Sequence, residues 1–322
     1  MINGARFAFY DLAPGEESFR DAVLNGLGRA RKAIPCKFFY DARGSALFEE
    51  ICRLPEYYPT RTEIGILGEN SGDIAAQMGP HCRLIEFGSG ASYKVRILLE
   101  ALDRPAAYVP VDISREHLRD AASSLAEDFP SVPVIAVCAD YTRPFPLPPL
   151  PGAKGKRVGF FPGSTIGNFE CDAAVAFLAN YARILGPGGE MLIGVDLKKD
   201  PEILDAAYND RAGVTAAFNL NLLDRVNREL DGDLDLDRFE HVAFYNVVEG
   251  RVEIYIRSLA NQSAQIAGRI FHFAAGELIH TEYSYKYSVE EFRALAARAG
   301  FRPVDTWTDP AELFSVHYLR LR

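Results

Sequence analysis

The chain has 322 residues, enough for one large domain or two modest ones. Apolar residues make up 48% and charged residues 25%, the balance of a soluble globular protein. The net charge of −9, with no evident basic face, argues against nucleic acid as a partner, because phosphate binding needs clustered Lys and Arg.

No run of 18 apolar residues is present, so no transmembrane helix and no membrane partner are expected. The opening MINGARFAFYDLAPGEE lacks a basic region followed by an apolar one, so no signal peptide is read. The expectation is a cytoplasmic monomer. Cys36, Cys52, Cys82, Cys138 and Cys171 are scattered without a CxxC pair, which reads as reduced thiols and gives no support for a metal site.

In chain order, residues 18–33 predict a helix, with Phe19, Val23, Leu24 and Leu27 on one face. The aromatic and charged stretch 35–45 fits neither simple period, and Ser45 is placed to cap a helix through Leu47, Phe48 and Ile51. Two prolines bracket Tyr57 and Tyr58, which predicts an ordered loop, with a helix starting at Thr62.

The most informative stretch is Leu84–Leu102. A short apolar strand closes on Glu86 and breaks into Gly88-Ser89-Gly90, and then Val95, Leu98, Leu99 and Leu102 fall at helical spacing. Strand, glycine turn and helix form a unit that brings backbone N–H groups up to a ligand. A second strand ends on Asp112 and a third, 134–139, ends on Asp140. A glycine turn followed by two strand-end acids describes the adenosine pocket of a class I methyltransferase. A dinucleotide dehydrogenase fits less well, because Tyr93 stands where GxGxxG needs its last glycine. The bland reading of both acids is that they cap the helices that follow.

Five prolines between Pro144 and Pro151 predict a loop. A fourth strand, 157–161, runs into Pro162-Gly163-Ser164-Thr165-Ile166-Gly167-Asn168, where open α/β sheets bind ligands. A helix over 173–185 and a fifth strand over 191–196 complete this part. Residues 197–285 change character. They hold a helical segment with Asn219, Asn221 and Asn227, an acidic turn over 231–237, and predicted strands at 239–248, 252–258 and 265–271. Glu282, Ser284 and Lys286 then alternate with tyrosines, a polar line that suits a pocket wall. A helix (290–300) and two strands (301–307 and 314–321) end the chain as an antiparallel hairpin.

Several stretches together carry a resemblance: KFFYDARGSALFEEICRLPEYYPTRTE, IEFGSGASYKVRILLEAL, YVPVDIS, FPGSTIGNF, GVDLKKD, AYND, GVTAAFNLNLLDRVN, TEYSYKYS and FSVHYL. They resemble the histidine Nα-methyltransferases of ergothioneine biosynthesis over about residues 36–322. The resemblance implies an α/β fold: a class I, Rossmann-like methyltransferase sheet with an inserted α+β substrate-binding domain. It places the S-adenosylmethionine domain at 1–196 and 286–322, and the substrate domain at 197–285.

The resemblance further implies S-adenosylmethionine as donor and S-adenosylhomocysteine as product. L-histidine would be the acceptor, passing through mono- and dimethyl intermediates to hercynine, with no metal. The donor site it implies is Tyr40, Gly88, Ser89, Gly90, Lys94, Asp112, Asp140 and Tyr141. The acceptor site it implies is Tyr57, Gly163, Asn168, Tyr208, Ile254, Glu282 and Ser284.

In this pattern Tyr57 and Asn168 hold the substrate's amino and carboxylate groups, Tyr208 binds the carboxylate too, and Glu282 with Ser284 binds the imidazole. One departure is Ile254, where the family has Met, a stiff branched side chain for a flexible thioether. Two alternatives stand beside this one: a methyltransferase of the same fold for another amino acid or aromatic amine, and a non-catalytic S-adenosylmethionine-binding regulatory module.

Overall fold

The computed structural model describes residues 7–12, 18–89, 93–151 and 155–322. The first strands are β1 (Phe7–Asp11), β2 (Arg83–Phe87), β3 (Ala107–Asp112), β4 (Val134–Cys138), β5 (Arg157–Phe161) and β6 (Glu190–Asp196). Next come β7 (Phe239–Asn246), β8 (Arg251–Ser258), β9 (Gln262–Ile266), β10 (Arg269–Phe273) and β11 (Leu278–Tyr285), and the chain ends with β12 (Phe301–Thr308) and β13 (Phe314–Leu321).

These elements form two compact units. One comprises Met1–Glu16, Pro59–Leu197 and Tyr287–Arg322; the other comprises Glu17–Tyr58 and Lys198–Lys286. The boundaries near 197 and 286 fall where composition changes. The stretch 17–58, expected with the sheet, packs instead with 198–286. Val23, Leu27, Phe39 and Ile51 share one buried cluster with Phe218, Leu222, Val226 and Ile256, so these apolar faces are buried only when the two stretches meet.

The first unit is built on an eight-stranded sheet of order β1-β4-β3-β2-β5-β6-β13-β12. From β1 through β6 the neighbours run parallel, and β13 and β12 close the edge antiparallel. Buried parallel strands read as continuous apolar runs, as Val134–Cys138 does. After β2 the chain builds outward through β3 and β4, then returns to place β5 on the other side of β2. That reversal is a topological switch point, and ligands of open α/β sheets bind outside the strand ends there.

Sequence patterning did not reveal β1 or the helix Ser71–Met78. The helix Tyr58–Glu69 starts four residues before the expected Thr62, with Pro59 in its first turn, where a missing N–H costs nothing.

In the second unit β11, β8 and β7 form an antiparallel sheet and β9–β10 a hairpin. The expected strand 265–271 is broken in its middle, because Ala267 (φ 48°) and Gly268 (φ 81°) form a tight turn between β9 and β10. The first helix is Phe19–Leu27 and stops well short of residue 33. The next, Ala42–Ile51, is capped by Asp41, whose carboxylate accepts from the Gly44 amide at 2.7 Å, and not by Ser45.

The three helical asparagines each anchor a distant group. Asn219 donates to the Tyr255 carbonyl, Asn221 to Asp41, and Asn227 both donates to the Leu234 carbonyl and accepts from its amide. No described helix is long and apolar enough to cross a membrane.

Candidate active site

In the first unit the site grows from the switch point. β2 ends at Gly88, whose φ of 76° is left-handed, and a Cβ there would sit 3.2 Å from the Tyr141 hydroxyl. Ser89 Oγ is buried and makes no hydrogen bond among the described residues, an orphaned polar atom in the turn where a ligand is expected. Gly90 lies outside the described residues.

Asp112 and Asp140 stand at the ends of the next two strands. Asp112 accepts from the Ser114 amide, and Asp140 from the Thr142 amide and hydroxyl, so each carboxylate also does the local turn duty that its position suggested. Burial raises the Asp112 carboxyl above its usual range. Tyr141 packs edge-on to Phe161 and Phe177. A turn with close backbone approach, an unpaired hydroxyl and two acids suits the hydroxyls and amine of an adenosine.

Lys94 and Gly163 are joined by a residue that sequence reasoning assigned only to a helix start. Glu63 is fully buried, pairs with Lys94, and accepts from the Gly163 amide at 2.9 Å. Its carboxylate lies against β6 at Gly194, where a Cβ would fall 1.9 Å from Glu63 Oε1. A glycine inside a buried strand signals such an approach, so Gly194 was the available clue. Asn168 ends a short 3-10 turn, Thr165–Asn168. That turn follows left-handed Ser164, whose hydroxyl accepts from the Asp196 amide at 2.9 Å.

Beside this group Glu86 is buried and receives the Tyr108 hydroxyl. Burial pushes its carboxyl up to about 7, opposed by the Tyr108 hydrogen bond and the Lys94 charge. The folded value lies above the unfolded one. Between the two, the native state therefore holds a proton that the unfolded state has released. Glu86 thus favours the fold at low pH, and that contribution disappears as pH rises toward the folded value, by roughly 3 kcal/mol in all. Glu86→Gln should flatten this slope. Melting curves at about pH 5 and about pH 8 that change equally in both proteins would refute it.

In the second unit Tyr57 stacks edge-on to Tyr208 at 6.3 Å and to Phe48 at 6.4 Å. Burial holds the Tyr57 phenol well above its normal range, reinforced by Tyr208. The Tyr208 hydroxyl lies 2.9 Å from Ser284 Oγ. Its backbone carbonyl accepts from His241 Nε2, while His241 Nδ1 accepts from Asn219, which fixes one neutral tautomer; burial lowers the His241 pKa.

Glu282 pairs across the ladder with Ile254 and shares a face of β11 with Ser284. Its charge also reaches Cys36, a thiol pushed up to about 12 chiefly by burial. Tyr40, expected at the donor site, belongs to this unit; it is 48% exposed and lies edge-on to Phe48 and Phe218. Among the described residues no cluster of His, Cys, Asp and Glu could hold a metal.

A switch-point glycine turn with acids at successive strand ends, on a sheet closed by an antiparallel hairpin, defines an S-adenosylmethionine-dependent methyltransferase. Residues 19–321 match the family model described as histidine-specific methyltransferase, SAM-dependent, and the chain belongs to that family. It is 44% identical over 305 residues to a histidine N-alpha-methyltransferase of Mycolicibacterium smegmatis, covering 93% of this chain and 94% of the relative. A histidine N-alpha-methyltransferase of Mycobacterium tuberculosis is 39% identical over 310 residues, covering 94% of each. Ergothioneine biosynthesis protein 1 of Neurospora crassa is 32% identical over 296 residues, covering 89% of this chain and 33% of that longer protein.

Proposed function

We propose that the protein methylates the α-amino nitrogen of L-histidine three times to give hercynine, the opening step of ergothioneine biosynthesis. The observation that carries this reading is the Tyr208–Ser284 hydroxyl pair on the wall that Glu282 shares, in a chain of the histidine-specific family. Gly88, Ser89, Lys94, Asp112, Asp140 and Tyr141 would hold S-adenosylmethionine, joined by Tyr40 and Gly90. When bound, it supplies a methyl group already activated on a sulfonium.

What remains for the chain is positioning: a neutral amine must point its lone pair along the sulfur–carbon bond, worth several orders of magnitude when the geometry is held. Asn168, Tyr57 and Gly163 would hold the amino and carboxylate end. Glu282 and Ser284 would hold the ring, with Ile254 packed beside it. A site built on such polar groups rejects ligands that leave them unpaired.

Incubation with S-adenosylmethionine and L-histidine, read by mass analysis, should show additions of one, two and three methyl groups; unmodified histidine would end the proposal. Room for a trimethylammonium head should depend on the small walls at Gly163 and Asn168. Asn168→Phe should therefore stall the product at the mono- or dimethyl stage, and unaltered trimethylation would count against that assignment.

A further inference from the structure

Lys286 has no role in the scheme above, yet it is only 2% exposed. Its Nζ donates to Ser284 Oγ at 2.8 Å and to the Tyr208 hydroxyl at 2.9 Å, and lies 5.0 Å from the Tyr208 ring centroid. With the 2.9 Å Tyr208–Ser284 contact these three groups close a triangle.

An ammonium can only donate, so it occupies one lone pair on each hydroxyl oxygen. A phenol is a stronger acid than an alcohol, and a cation on its oxygen strengthens it further, so Tyr208 donates to Ser284. Ser284 Oγ then accepts twice, and its own hydrogen is the valence left for a ligand. Two residues earlier on the same strand face, the Glu282 carboxylate can only accept.

We infer that Lys286 is a positioning residue that sets ligand specificity: through Tyr208 it makes Ser284 an obligatory donor, so that the Ser284–Glu282 pair takes an uncharged azole presenting one N–H and one bare ring nitrogen. The inference rests on the histidine reading and deepens it. It also moves the Tyr208 hydroxyl from the substrate's carboxylate to its ring end.

The test compares L-histidine with 2-pyrrolylalanine, which keeps a ring N–H but lacks the bare nitrogen. The unaltered enzyme should favour histidine by about 100-fold or more in kcat/KM, since the serine donor is unmatched by pyrrole. Lys286→Met keeps the side-chain length and frees Ser284 to accept. It should shrink that preference to below about 10-fold, mostly through a raised KM for histidine, with S-adenosylhomocysteine affinity retained.

Adding Lys286→Met to Ser284→Ala should change the ratio no further, because the lysine acts through the serine. Lys286→Leu, which likewise removes the donor, carries the same comparison if the methionine variant does not fold. An unchanged ratio in a variant that still uses histidine overturns the role of Lys286 alone. A parallel fall in kcat and S-adenosylhomocysteine affinity at an unchanged ratio does the same, marking the residue as structural. If the unaltered enzyme does not use histidine, this inference and the proposed function fall together.

Discussion

Replacing Glu282 with Gln lowers kcat/KM for L-histidine by about 100-fold, the scale of one lost charge-assisted hydrogen bond in a desolvated site. S-adenosylhomocysteine should bind the variant as it binds the parent, because Glu282 lies on β11 of the second unit while the glycine turn and strand-end acids lie in the first. Glu282→Ala goes further, since it also removes the acceptor oxygen that glutamine keeps; both variants remove the charge that adds to burial in raising the Cys36 and Tyr57 pKa values. Thiol alkylation of Cys36 should accelerate in both variants. Steady-state kinetics with histidine together with calorimetry of S-adenosylhomocysteine decide the matter. Histidine kinetics within about threefold of the parent would remove Glu282 from the site.

The second large effect is expected at Glu63. Glu63→Leu leaves the Lys94 ammonium and the Gly163 amide without the carboxylate they share. Breaking a buried pair in this way costs about 3–5 kcal/mol, because the remaining charge is stranded in a poor solvent. Affinity for S-adenosylhomocysteine should fall with it, since Lys94 loses its anchor.

Glu63→Gln separates the two roles: it can still accept from the Gly163 amide, but it no longer balances the lysine. Gly194→Ala should imitate the leucine variant without touching the acid, because its Cβ would occupy a point 1.9 Å from Glu63 Oε1 and 3.0 Å from Phe314. Thermal unfolding and ligand titration of all three are the measurement. Melting points and affinities matching the parent would show that the pairing contributes nothing.

What the sequence made legible was local chemistry. Gly88 followed by Ser89, and the acids Asp112 and Asp140, could be placed because each lies at the last residue of an apolar strand or within two residues past it, and strand ends announce themselves. The closing hairpin at 301–321 was legible for the same reason.

Glu63 could not be read this way. Its partners are 31 and 100 residues away, and nothing near it distinguishes a buried acid from a surface one. The placement of 17–58 was hidden too, since an apolar helix face says that it will be buried but not against what. The turn at Ala267 was missed because a non-glycine residue takes the left-handed conformation, where sequence gives the weakest cue. At Lys286 the alternation with tyrosines was visible, but its hydrogen-bonded triangle needs Tyr208, 78 residues earlier.

The interleaving of the chain bears on how the molecule is made. One core needs 17–58 to wait for 198–286, and the eight-stranded sheet waits for residues up to Leu321 before β6 gains its outer neighbour. The second unit has all its parts once Lys286 is made, whereas the first still waits for β13, so the two cores become complete at different points along the chain. A gene cut near residue 200 should yield two insoluble fragments rather than two working modules.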